Sequence, residues 1–396
     1  MNPLSAVKPP SPAPQTEPDG PARGAPSAEF ALVLIFLAII ASAALIQAWV
    51  EIRRGERLGA SDLFRAKPTS ANLRAYERSL EDASLVGRAL RPWFQLVQFA
   101  FLKDGGEKVL VGKEDWLFYR PGCDDYLRQP AVIKPRTNDA VAAIVAWRDA
   151  LSARGMHLLV VPAPNKESIY PDQLTRRAPP GRVLVPPATR DLLSRLTSAG
   201  VECVDLFALF ASERTNSRAP LYLAQDTHWS PAGVELAARA VARRLLEKGW
   251  VRQGETAYQE HPAPVERTGD LLRMLDGSRQ HSSVKPPPTP CVQVIDPAGK
   301  PYQDNDGSPV LVLGDSFLRI YQQDEPRASG FIAHLAKELK QPVTSLVNDG
   351  GASTLVRKEL HRRPALLANK RVVVWEFVER DIRLGTEGWE QVPLPR

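Results

Sequence analysis

Cysteine is scarce in this chain. Only three occur in 396 residues, Cys123, Cys203 and Cys291, and none stands at the spacing of a zinc-ligand pair. A disulfide-stapled scaffold is thereby excluded, and no metal is expected. Cys203 lies inside the apolar run 201–206 and reads as a buried thiol. Cys123 and Cys291 fall in loop-like sequence; in an oxidising compartment they are the pair to test for a bridge, with three free thiols as the alternative. Glycine-rich phosphate loops are missing as well. Neither a Walker pattern nor G-x-G-x-x-G follows any apolar run, which argues against nucleotide chemistry and leaves no cofactor implied. Lys and Arg (51) outnumber Asp and Glu (45) by six, yet no dense basic block, recognition helix or zinc knuckle occurs, so no nucleic-acid partner is expected. There is no internal repeat, which excludes a solenoid.

Long apolar runs are also few, and one dominates. Residues 30–50, FALVLIFLAIIASAALIQAWV, carry no charge, and Gln47 is their one strongly polar residue. As a helix they reach across a hydrocarbon core of about 30 Å. Their length and distance from the start suit a retained signal anchor, a single-pass transmembrane helix, better than a cleaved signal peptide. A buried core helix is the alternative, disfavoured by the uncharged stretch between Glu29 and Glu51. Residues 1–29, rich in Pro, Ala, Gly and Ser, read as a disordered tail. Arg53, Arg54 and Arg57 follow the span, against Arg23 and distant Lys8 before it. The positive-inside rule taken alone would therefore keep the rest of the chain in the cytoplasm.

Residues 51–104 read as a helical stalk or cap, with apolar anchors from Tyr76 to Phe101 interrupted by Pro92. Residues 109–119 suggest a turn and an aromatic strand. From 137 onward helices and strands alternate: a helix capped by Thr137, then strands at 156–161, 201–206, 310–313, 343–347 and 371–378, separated by helices. Residues 249–308, with the proline patch 285–290, read as an insertion of loops and short strands. Residues 386–396 form a tail. Five buried-type strands separated by helices predict an α/β fold: an open, mostly parallel sheet with helices on both faces.

In such a sheet, ligands bind beyond the carboxyl ends of the strands. Four polar segments are the candidates for such ends: 164–166 after the 156–161 strand, 226–229 before a helix start, 314–317, and 348–351 after the 343–347 strand. A hydroxyl needs a base before it attacks a carbonyl, and the base needs a group that fixes its tautomer. Ser316, in Gly-Asp-Ser after the 310–313 strand, is the candidate nucleophile, His228 the candidate base and Asp226 its orienting carboxylate. Backbone N–H groups of Ser316 and of Gly350 or Gly351, with the Asn165 side chain, are the candidate oxyanion donors. Blander roles stand beside these. Asp315 or Ser316 can cap the next helix, His228 can bond a backbone carbonyl, Gly350-Gly351 can be a loop, Lys166 reads as a solvated charge, and Trp229 as packing against the next helix.

The segments PAPNKESIYP (162–171), DTHWSPAG (226–233) and LVLGDSF (311–317), preceded by GKEDWLFYR (112–120) and followed by WEFVER (375–380), together resemble the alginate O-acetyltransferase family with an SGNH-hydrolase-like domain, in its membrane-anchored form. The resemblance spans roughly residues 105–385. It implies a flavodoxin-like α/β/α acetyltransferase domain in the periplasm, held to the inner membrane, that moves acetyl groups onto an exported exopolysaccharide such as alginate. It assigns the triad to Ser316, His228 and Asp226, and implies a multi-pass membrane acyltransferase as acetyl donor. The glycine-rich stretch here is the short NDGGAST (348–354), and no carbohydrate-binding module is apparent after 385, so polymer contact is expected from the catalytic domain or its partners. An acetylesterase with the same triad, or a non-catalytic membrane-anchored subunit of polysaccharide assembly, are the competing expectations.

Overall fold

The structure is a computed structural model and describes residues 26–59, 61, 67, 69–97, 101–127, 139–217, 219–275, 288–349, 351–383 and 388–395. Residues 1–25 of the tail, Thr137, Gly350 and residues 285–287 of the proline patch lie outside them, while residues 26–29 of the expected tail already belong to a helix. The chain divides into two compact units, Met1–Arg91 and Pro92–Arg396. In the first, the apolar run forms one helix, Pro26–Arg53. Among the described residues it is the one helix long and apolar enough to cross a membrane, which suits a membrane anchor or a signal sequence. Helix Ser70–Ala83 follows, and then helix Leu85–Val97, which starts in this unit and ends beyond Arg91. The break falls at Ser84 rather than at Pro92, because the Ser84 hydroxyl accepts the Gly87 N–H at 3.0 Å and starts the next helix.

In the second unit, strands β1 (Asp104–Gly105), β2 (Val109–Val111) and β3 (Leu117–Tyr119) pair antiparallel. Strands β4 (His157–Ala163) and β5 (Glu202–Cys203) begin the main sheet, β6 (Gln259–Pro262) and β7 (Val292–Ile295) form a separate antiparallel pair, and β8 (Val310–Gly314), β9 (Thr344–Val347) and β10 (Val372–Val378) complete the main sheet. Its order is β5-β4-β10-β8-β9 and every pairing is parallel. This is the open parallel sheet expected. The run 201–206 yields only a two-residue strand, because Asp205 accepts the Ala208 N–H and turns the chain into helix Leu206–Glu213. The helix expected from Thr137 begins at Ala140, capped by Asp139.

Alternation along the strands explains why both faces are covered. Leu159, Val161, Val310, Val312, Val372 and Val374 face one core, with helices Pro231–Glu247 and Phe331–Leu339. Their neighbours Leu158, Val160, Leu311, Leu313, Val373 and Trp375 face the other, with helices Ala140–Ser152 and Leu355–Arg362. Strands buried on both sides disfavour polar residues, hence the near-continuous apolar runs, with Glu376 inside β10 as an exception. Parallel order brings the residues after β4, β8, β9 and β10 to a common edge.

Candidate active site

Strand β8 ends at Gly314, where no side chain fits. A Cβ there would lie 2.4 Å from Glu376 Oε2 and 2.5 Å from Leu318 Cδ1. Asp315 then turns the chain: its N–H donates to Glu376 Oε2 at 3.2 Å, and its carboxylate accepts the Phe317 N–H at 2.8 Å. The capping role expected for Asp315 is thus real, and it leaves the half-buried Ser316 hydroxyl at the start of the short helix Ser316–Arg319. Glu376 is fully buried, and burial, reinforced by Asp315, raises its pKa well above the carboxylate range.

The second segment is positioned by a residue that looked like a surface charge. Lys166 is buried, and its Nζ donates to the carbonyls of Leu223 (3.1 Å), Ala224 (3.0 Å) and Asp226 (2.7 Å). Three fixed acceptors hold the loop that carries Asp226 and His228. Burial pushes Lys166 down to about 7, against the opposing charges of Asp226 and Asp270. Ser230 closes the loop by capping Pro231–Glu247. Trp229 is a core residue, as expected in kind; it packs on Phe317 and Phe331 and donates its indole N–H to the Phe317 carbonyl at 3.0 Å.

These two segments meet. His228 Nε2 lies 2.9 Å from Ser316 Oγ, and His228 Nδ1 lies 2.6 Å from Asp226 Oδ1. A carboxylate on the Nδ1 side calls for the proton there, which leaves Nε2 free to accept from the hydroxyl. Asp226 has no exposed surface and takes three further donors: the His228 N–H at 3.1 Å on Oδ1, and Arg267 Nε at 3.1 Å with the Asp270 N–H at 3.2 Å on Oδ2. Burial alone would raise its pKa, but His228 and Arg267 outweigh it and hold Asp226 well below the usual range. Asp270 behaves oppositely. Burial and the charge on Asp226 raise it, and it is occupied by the N–H and hydroxyl of Thr227.

Arg267, Asp270 and Arg273 come from the segment read as an insertion, whose turns carry no motif of their own. They line a cleft of about 260 Å³ together with His228, Ser316, Tyr119, Arg319, Asp349 and Arg380. Donor atoms of Asp226, His228 and Asp270 come within 4.8 Å of one another. Arg267 and three N–H groups already occupy the Asp226 oxygens, an arrangement suited to a hydrogen-bonded relay.

The oxyanion candidates are placed differently. Gly350 lies outside the described residues. Gly351 donates its N–H to the Asn348 carbonyl at 3.2 Å, and Asn165 is buried after β4, two strands from β8, its N–H bonded to Glu379 Oε2 at 2.9 Å. Glu379 also accepts from Ser168 and Thr189, and burial lifts it to about 7. All three cysteines are free, Cys123 and Cys291 both buried. Cys123 sits in helix Arg120–Leu127, not in a loop.

Comparison with known proteins supplies the family. A probable alginate O-acetylase AlgJ of Pseudomonas putida is 26% identical over 295 residues, covering 72% of each chain, and its counterpart in Pseudomonas syringae pv. tomato is 27% identical over 322 residues, covering 78% of this chain and 77% of its own. The solved O-acetyltransferase domain of Pseudomonas putida AlgJ superposes with a TM-score of 0.56 at 25% identity, over 70% of this chain and 92% of that domain. The family model described as "SGNH hydrolase-like domain, acetyltransferase AlgX" matches residues 109–379, from β2 through the strand that carries Glu376 to Glu379. With most of the chain so matched, and with the parallel sheet and its polar edge in place, the protein belongs to the AlgX-type SGNH hydrolase-like acetyltransferase family.

Proposed function

We propose that this protein is a polysaccharide O-acetyltransferase that carries acetyl through an ester of Ser316 onto hydroxyls of an exported exopolysaccharide such as alginate. The observation that supports the reading most is the relay in which one imidazole touches Ser316 Oγ at 2.9 Å and Asp226 at 2.6 Å. His228 takes the Ser316 proton as Oγ attacks the donor's acetyl carbonyl, then returns it to the leaving group. In the second half it takes the proton of a sugar hydroxyl, which displaces Ser316 and leaves as the acetylated polymer. Asp226 holds the tautomer and offsets the imidazolium charge. The relatives' names, alginate O-acetylase, supply the acceptor class.

The reading places the catalytic unit on the periplasmic face of the inner membrane, anchored by Pro26–Arg53, with a multi-pass membrane acyltransferase as the acetyl source. A periplasm-sensitive reporter fused after residue 396 tests that orientation against Arg53, Arg54 and Arg57. For the chemistry, the protein is exposed to an activated acetyl ester and its intact mass and peptides are followed, with and without oligosaccharide. An acetyl adduct mapping to Ser316, discharged faster by oligosaccharide with acetylated sugar as product, is the expected result. Acetate release without any acetylated sugar would move the assignment to an esterase, and absence of an adduct together with unchanged polymer acetylation in Ser316→Ala cells would remove the enzyme reading.

A further inference from the structure

Acyl transfer through Ser316 needs donors for the oxygen that becomes negative in the tetrahedral intermediate, and their number and type largely set the rate. The side-chain and glycine donors anticipated at the neighbouring edges are engaged or remote: the Gly351 N–H serves Asn348, and Asn165 is buried two strands away. The cleft offers four guanidinium groups instead. Arg267 is held by Asp226 and Asp324, and Arg319 by Asp324 and Asp349. Arg273 is exposed. Arg380 is half-buried and has no hydrogen bond or ion pair to any described residue. It follows β10, the strand paired with β8 through Val373–Leu311 and Trp375–Leu313, so the chain positions after the two strands are neighbours at the sheet edge. Its guanidinium carbon lies 5.7 Å from the ring centre of Phe317, the residue next to Ser316, and 6.0 Å from that of Tyr119.

We infer that Arg380 is a catalytic residue whose guanidinium donates to the carbonyl oxygen of the acetyl group reacting at Ser316; this rests on the acetyl-Ser316 reading above. As Ser316 Oγ bonds to the carbonyl carbon, its proton passes to His228 Nε2 and the carbonyl π pair moves onto oxygen, opposite the Arg380 N–H groups. The pair returns as the bond to the leaving oxygen or sulfur of the acetyl ester or thioester breaks, and His228 protonates that atom. The charge of Arg380 also favours ionisation of the buried Asp315, Glu376 and Glu167. A purely structural role would use only that effect, so the test has to separate the two.

Full-length protein in detergent is assayed with an activated aryl acetyl ester, as wild type, Arg380→Ala and Arg380→Gln. The expected result is a fall in kcat of about 10²–10³-fold with KM within about threefold. Added guanidinium or methylguanidinium ion should restore Arg380→Ala by roughly tenfold or more, and should leave Ser316→Ala unchanged. Retention of wild-type kcat, or a loss that no guanidinium ion rescues and that tracks a lowered thermal midpoint in both variants, overturns the inference. If Arg380→Ala does not fold, Arg380→Gln is read by the same kcat and thermal criteria. Failure of the underlying reading looks different: the wild type itself then forms no acetyl adduct at Ser316.

Discussion

Changing Asp226 to Asn alters one atom and puts the relay to its strictest test. The two oxygens of Asp226 have separate duties: Oδ1 accepts from His228 Nδ1 and the His228 N–H, and Oδ2 accepts from Arg267 Nε and the Asp270 N–H. An amide has one oxygen. If it sits at Oδ1, the NH₂ faces two N–H donors at Oδ2; if it sits at Oδ2, the NH₂ faces Nδ1, which must then accept, so the ring proton moves to Nε2 and the imidazole can no longer take the Ser316 proton. The charge opposite the developing imidazolium is lost either way. A triad that loses its carboxylate charge while keeping its shape slows by about 10⁴-fold, or about 5.5 kcal/mol of barrier. Asp270 is the control. Its Oδ2 is 3.6 Å from His228 Nδ1, too far for a hydrogen bond, and the Thr227 hydroxyl it holds can turn to accept from an amide. Asp270→Asn should therefore lower kcat by about tenfold at most. Activated-ester turnover measured for both variants, with thermal midpoints to confirm folding, decides it. Equal losses, or an Asp226→Asn enzyme within about tenfold of wild type, would show that Asp226 does not orient the base.

Three further outcomes follow from the same edge of the sheet. Gly314→Ala forces a methyl to 2.4 Å from the buried Glu376 carboxyl, so stability should drop by about 1–3 kcal/mol and acetyl-Ser316 formation should slow, read by thermal unfolding and adduct rate. Lys166→Met keeps the bulk and removes the donor shared by three loop carbonyls, that of Asp226 buried and those of Leu223 and Ala224 half-buried; a loss of about 3 kcal/mol with weakened labelling is expected, whereas unchanged labelling would mean that loop 223–228 is held by other means. Glu379 has its folded pKa raised by burial to about 7, against about 4.3 unfolded, so its contribution is fully present below pH 4 and is lost as pH rises to 7, by about 3 kcal/mol. Wild type minus Glu379→Gln, compared by unfolding in detergent at pH 4.5 and 8, should show that difference; parallel curves would refute it.

Much of the fold is legible in the sequence because burial on both sides leaves a strong trace. The seven residues of β10 and five of β8 are all buried, and only apolar or small residues suit such strands, with Glu376 as the costly exception. The trace weakens where a local polar group overrides it. Asp205 ends the 201–206 run after two strand residues, and Ser84 places the helix break ahead of Pro92, which helix Leu85–Val97 runs through. Both are single capping hydrogen bonds of about 1 kcal/mol, enough to choose between local conformations of similar energy.

The site divides by sequence distance. Ser316, His228 and Asp226 stand out because each sits in a short motif beside a strand or helix end; Ser316 follows β8, whereas Asp226 and His228 follow no strand of the main sheet and reach it on a loop before helix Pro231–Glu247 that Lys166 holds. Residues whose role depends on partners far along the chain leave no such mark. Lys166 is indistinguishable from a surface lysine until carbonyls 57 to 60 residues away close around it. Arg267 and Asp270 lie in a turn-rich stretch with no periodicity, yet Oδ2 of Asp226 takes both of their N–H groups. A buried carboxylate bonded only to His228 would carry an unsatisfied oxygen and a raised pKa, and would orient the base poorly. The segment between Lys248 and β8 is therefore part of what keeps Asp226 ionised, and its deletion should silence Ser316 even where the parallel sheet still forms.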